Sequence, residues 1–245
     1  MTQTDPARPR PPEAPPGTTS RRVLLGGALA TTATVGALAL LDAMPFVRDL
    51  PLPVPGRRSV RLTWLADALR EAGLRVEEVP RWVDAGRPRA FDPVGVLMHH
   101  TAFRATAADP HPALDTVVGG RTGLRGPLCH VLIDRDGVCH VVAAGRANHA
   151  GEAVDSGPVP GGDGNTAYVG IEIDYAPQAP YGQQPNAAQG EAAVAAAAAV
   201  LARLGTDADH ARYHAETSTA GKWDPGNTVD ADEFRRRVAA LLGSG

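Results

Sequence analysis

Apolar residues at Leu62, Leu65, Ala66 and Leu69 recur at helical spacing, and Gly73 supplies a stop. A short β-rich stretch follows at 74–79, with 81–83 extending or following it. The Asp92-Pro93 turn signal precedes a continuous apolar run at 94–99, the character of a buried central strand. Residues 103–127 read as loop, with a helix near 114–118. Two β-type runs, 129–133 and 138–142, flank Asp134-Arg135-Asp136-Gly137 and predict a hairpin. A Gly/Pro/Asp-rich loop covers 151–166, and 168–174 is another strand. Asn186 caps an alanine-rich helix that runs to Leu204 and stops at Gly205. The last helix starts at Asp230, with Glu233 completing a capping-box-like pair, and buries Phe234, Val238 and Leu241 on one face. Strands and helices are interleaved, so the fold class is α/β, a mixed central β-sheet flanked by helices.

The pattern changes at the N-terminus. Residues 1–19 are proline-rich and polar and cannot build a core. Ser20-Arg21-Arg22 then leads an apolar, alanine-rich stretch to about Leu41, which resembles a twin-arginine export signal. A membrane anchor with a positive flank is the alternative, since about 19 apolar residues can span a bilayer. Either way the rest of the chain faces outward. Pro45, Pro51, Pro53 and Pro55 make a stiff tether of 44–58. The expected organisation is therefore a tail with signal or anchor at 1–43, a linker at 44–58 and one folded domain at 59–245.

Composition narrows the function. A net charge of −3 and an aromatic content of 4% give no nucleic-acid surface. Two cysteines are too few for a disulfide framework or a cysteine-rich metal site. If Ile133 faces Val138, Cys139 falls opposite Leu132, on the other face of the ribbon from Cys129. A one-residue bulge restores the face but leaves the two four residues apart, roughly 13 Å at strand rise. A disulfide spans only about 4.4–6.8 Å between Cα atoms, so two free thiols are expected.

The candidate chemistry begins at His214, followed within one short segment by Lys222 and Asp224-Pro225-Gly226. An imidazole and a carboxylate are good zinc ligands, and a nearby ammonium can steady an oxyanion. His214 and Asp224 are too far apart for one helical face, so a loop must return the carboxylate; Asp-Pro-Gly is such a turn. A third ligand lies at the end of the 94–99 run, His99 or His100; neighbours in a strand point to opposite faces, so at most one serves a given site. Two histidines and an aspartate leave one tetrahedral position for water. Glu172 shares a strand face with Gly170 and Asp174, away from Val169, Ile171 and Ile173, which fits either a solvated face or a catalytic carboxylate.

Three pieces in order, His-x-Thr-Ala at 99–102, Gly-Ile-Glu at 170–172 and His-x7-Lys-x-Asp-Pro-Gly at 214–226, resemble the type 2 N-acetylmuramoyl-L-alanine amidases. That superfamily also contains peptidoglycan recognition proteins and amidase-type phage lysozymes. The resemblance runs from about Val60 to the C-terminus. It implies zinc held by His99, His214 and Asp224, Glu172 as general base and Lys222 as oxyanion donor. Arg146-Ala-Asn-His149-Ala-Gly resembles a groove-lining segment, which makes His149, and with it His130, candidate substrate-binding residues. Asn148 stands where an aromatic is common and Cys129 where tyrosine is common. Aspartate as third metal ligand matches one subgroup, where other relatives use a thiolate.

The implied substrate is peptidoglycan or muropeptides, cut between the lactyl group of N-acetylmuramic acid and L-alanine. The chain is expected to act as a monomer that meets a membrane only through its N-terminal signal or anchor. A non-catalytic peptidoglycan-binding module is the main alternative, although such members typically lack a zinc ligand. A cytoplasmic recycling enzyme is disfavoured by the export-like N-terminus. A cysteine hydrolase built on Cys129 and His130 is disfavoured by their adjacency in a strand.

Overall fold

The computed structural model describes residues 58–226 and 230–243. The expected export segment, and the tether up to residue 57, lie outside the described residues.

The first helix, α1 (Leu65–Glu71), buries Leu65, Ala66, Ala68 and Leu69. Beyond it Gly73 takes a left-handed φ of 79°, ending the helix as its position suggests. Strand β1 (Val76–Glu78) follows, and then 81–83 form a turn around Arg81, at φ 65°, rather than more strand. Next come β2 (Gly95–His100), α2 (Leu114–Gly119), the pair β3 (Gly120–Arg121) and β4 (Leu124–Arg125), β5 (Val131–Ile133) and β6 (Cys139–Val141). The stretch expected to be plain loop contains β7 (Glu152–Ala153), β8 (Gly162–Asp163) and the single turn α3 (Gly164–Ala167). The chain continues with β9 (Tyr168–Ile173), α4 (Ala187–Leu204), β10 (Ala211–Tyr213), α5 (His214–Thr217) and α6 (Ala231–Leu242).

Six strands form one mixed sheet in the order β1-β6-β5-β9-β2-β10. The hairpin pair β5–β6 is antiparallel and the other neighbours are parallel. Central β2 and β9 are paired on both edges, which explains their nearly unbroken apolar sequences. Val96, Met98, Val131, Ile133, Val169, Ile171 and Ile173 point to the face packed against Leu65, Leu69, Val200, Leu201, Phe234 and Val238. Each such side chain contributes roughly 1.5–3 kcal/mol of burial. Alternation sends His99 and Glu172 to the opposite face, away from α1, α4 and α6.

Helix α4 is framed as its sequence predicts. Asn186 and Gln189 form a reciprocal capping box, and Gly205 ends the helix in the left-handed conformation. In α6, Asp230 accepts from the Glu233 N–H at 2.7 Å, and Phe234 and Val238 are buried. Leu241 is not; it is 47% exposed and borders a groove with Ala199 and Ala202.

The hairpin register differs by one residue from the simplest expectation, with Ile133 opposite Cys139. Asp134 Oδ1 accepts from the N–H groups of Asp136 and Val138, both at 2.8 Å, and this side-chain bonding widens the turn. Cys129 precedes β5 and packs with Leu132 and Val142, while Cys139 lies in the main core. Both thiols are free and buried.

Candidate active site

Parallel pairing places Glu172 beside His99, and Leu132 beside Glu172 on the next strand. On the other side of β2, Tyr213 of β10 pairs with Met98. His214, the next residue, opens α5 and therefore sits at the same end of the sheet as His99. The Tyr213 N–H donates to Glu216 at 2.8 Å and so starts the helical turn. Beyond it the chain bends back, and the Ala215 N–H donates to the Asp224 carbonyl at 2.9 Å. The Tyr175 hydroxyl donates to the Pro225 carbonyl and ties the returning segment to the sheet end.

Three ligand-type atoms converge there. His99 Nδ1 lies 3.1 Å from His214 Nδ1 and 2.8 Å from Asp224 Oδ2, which is 2.9 Å from His214 Nδ1. Among the described residues this is the cluster whose donor atoms fit a metal ion. A tetrahedral zinc with nitrogen at about 2.0–2.1 Å has ligand edges of about 3.3 Å, so the atoms need to spread by only a few tenths of an ångström. The donor chemistry fits as well. Burial drives the His99 pKa down, so its imidazole is neutral, as a ligand must be. Asp224 Oδ2, set between the two Nδ1 atoms, adds a carboxylate oxygen to the donor set. The cluster forms part of the wall of a cleft of about 550 Å³ that Glu172, Lys222 and Trp223 also line.

The sequence model of the N-acetylmuramoyl-L-alanine amidase family, Amidase_2, matches residues 89–227, more than half of the chain. The chain belongs to that family. Its enzyme class is that of the N-acetylmuramoyl-L-alanine amidases, with a substrate of the peptidoglycan type. Among solved structures, a selenomethionine derivative of AmpD is 24% identical at a TM-score of 0.45, with 67% of this chain and 93% of AmpD covered. PlyL is 19% identical at a TM-score of 0.46, covering 67% of this chain and 96% of PlyL. The amidase LysCS from Clostridium intestinale is 17% identical at a TM-score of 0.46, covering 60% and 84% of the two chains. No curated protein matches.

Within this amidase, Glu172 is half-buried, and its Oε2 is buried with no hydrogen-bond partner. Burial, then the charges of Asp224 and Asp174, push its pKa well above the carboxylate range, while Lys222 pulls the other way. One of its carboxylate oxygens is thus shielded, unlike a side chain on an open sheet face. Lys222 is exposed, and its backbone N–H donates to Ser218 Oγ at 3.4 Å.

His100 also reaches the cleft, but its ring packs against Tyr175 and Trp223 at 5.5 and 5.0 Å, and neither ring nitrogen has a hydrogen-bond partner. Of the two adjacent histidines, His99 is the one whose ring joins the cluster.

His130 does not meet the expectation of a substrate contact. It is fully buried, stacked on Phe91 at 4.9 Å, with Nδ1 accepting from the Gly170 N–H at 2.9 Å. Burial lowers its pKa to about 3. His149 borders the cleft, yet its ring nitrogen is committed to His99 Nε2 at 3.0 Å. Sequence reasoning missed that contact and missed Asn165, whose side chain holds the backbone of 149–150. Neither carries a spacing signal, because each acts across a tertiary contact.

Proposed function

We propose that this chain is an exported, zinc-dependent amidase that hydrolyses the amide between the lactyl group of N-acetylmuramic acid and the L-alanine of the stem peptide. The observation that carries the reading is the convergence of His99, His214 and Asp224 beside a buried, unpartnered Glu172 carboxylate oxygen. A divalent metal held by the three residues supplies Lewis-acid chemistry, polarising a carbonyl and acidifying water. Glu172, with its raised pKa, takes a proton from the attacking water and returns it to the leaving amine nitrogen. Lys222 lines the same cleft from an exposed segment, and its ammonium holds the negative charge that grows on the carbonyl oxygen. Arg21-Arg22 and the apolar stretch after them support delivery to the wall, where such a substrate lies.

The test is to incubate the full chain with peptidoglycan, with chelator and with zinc restored, and to identify products by mass spectrometry. Stem peptides with free L-alanine amino ends that vanish on chelation are the expected result. Tight binding without cleavage under any metal overturns it in favour of a wall-binding module.

A further inference from the structure

Behind the two histidines of the cluster lies a second layer made from one short segment. Each ring has a nitrogen turned away from the cluster, and both of these meet residues 149–150. His214 Nε2 is 3.2 Å from the Ala150 carbonyl oxygen. A carbonyl only accepts, so His214 carries its proton on Nε2 and keeps a lone pair on Nδ1. For His99 the same logic runs through one more ring. His149 Nε2 lies 3.2 Å from the Tyr168 carbonyl oxygen and so carries the proton, leaving His149 Nδ1 as an acceptor. His99 Nε2, 3.0 Å away, must then be the donor, and the His99 lone pair is on Nδ1, facing His214 and Asp224.

The segment is itself fixed. Asn165 Oδ1 accepts from the backbone N–H of His149 at 2.6 Å and of Ala150 at 2.7 Å. Asn165 is 8% exposed and stands in α3, directly ahead of β9. Across from it, a Cβ at Gly170 would lie 2.5 Å from His149 Cγ, so only glycine leaves room for the ring against the sheet.

We propose that residues 149–150, held by Asn165, are a clamp that sets the tautomer and aim of both histidine ligands, with His149 and Asn165 as positioning residues. The effect on metal affinity rests on the zinc reading above, whereas the tautomers belong to the metal-free protein and stand apart from it.

Two measurements on the full chain test this. Nitrogen-15 NMR of the metal-free protein reads the tautomers, and chelator competition reads zinc affinity. In the wild type, His99, His149 and His214 are expected to carry their protons on Nε2. His149→Ala removes the acceptor and is expected to weaken zinc about 10- to 100-fold, the usual cost of losing a partner behind a ligand. His149→Asn places an oxygen near the lost Nδ1 and is expected to recover most of that loss. Asn165→Asp, which keeps an acceptor oxygen, is expected to preserve all three tautomers. An Nδ1 proton on His99 in the wild type overturns the clamp, as does wild-type zinc affinity in His149→Ala. Equal losses in the Ala and Asn variants, both folded by circular dichroism, also overturn it. The expected tautomers in a wild type that binds no zinc uphold the clamp and sink the zinc reading instead.

Discussion

Glu172 and Lys222 share the cleft but differ in how they are held. The first is pinned in a strand with a buried oxygen, and the second hangs from an exposed segment. Glu172→Gln keeps the shape and removes the base. Zinc content should persist while kcat falls by about 10²–10⁴, and undiminished turnover on muropeptide would take Glu172 out of the mechanism. Lys222→Ala should act on kcat by roughly 10²–10³; a change confined to KM would recast it as a residue that positions substrate. The choice between the adjacent histidines is equally open to trial. His100→Ala should leave metal content intact by elemental analysis, and His99→Ala should abolish it, because only His99 meets His214 and Asp224. His214 and Asp224 are readable from local sequence, a helical turn and a Pro-Gly bend, whereas strand alternation alone leaves His99 and His100 equal and the family pattern separates them. His130 escapes such reading, because nothing local tells a cleft histidine from a fully buried one that accepts from the Gly170 N–H.

At the scale of elements, Asp174 links three of them. It follows β9, accepts from Thr101 Oγ1 at 2.6 Å beyond β2, and accepts from the Ala113 N–H at 3.1 Å at the start of α2. Burial pushes its pKa up to about 6, against the bonds that favour its charge. An unfolded aspartate titrates near 3.9, so between about pH 4 and 6 the folded state binds the extra proton. Stability from this group is therefore present at low pH and declines as pH rises through that window. In Asp174→Asn the amide that replaces the carboxyl can still accept from Ala113 and donate to Thr101, with no charge to bury. The variant should gain about 2 kcal/mol over wild type at pH 7.5 and almost nothing at pH 4, measured by urea unfolding. An equal difference at both pH values would refute the buried-carboxylate account. The elements themselves are legible where local chemistry dominates, as in α4 between Asn186 and Gly205. They are not where tertiary contacts decide, as with the small strands inside 151–166, which pair with each other.

Across the whole molecule, the cluster draws on parts of the chain far apart in sequence: the end of β2, the start of α5 and the loop that returns to Asp224. The first two are anchored by strand pairing. The loop is held by the Ala215 N–H to the Asp224 carbonyl, the Val154 N–H to the Thr217 carbonyl and the Tyr175 hydroxyl to the Pro225 carbonyl. A metal shared by all three would crosslink the sheet to this loop. A ligand that binds only the folded state stabilises it by RT ln(1 + [L]/Kd), about 4 kcal/mol at a thousandfold excess over Kd. For a domain of this size each kcal/mol raises Tm by roughly 2–4 °C, so saturating zinc should raise Tm by about 8–16 °C over chelated protein. Scanning calorimetry with chelator and with zinc restored measures the increment. Hydrogen exchange should place the gain at residues 214–226, since the loop has the most to win from being fastened. Asp224→Ala should melt near the chelated wild type and respond little to zinc. A Tm indifferent to zinc in the wild type would mean that the three side chains meet for packing and charge alone, and the metal would have to leave the mechanism.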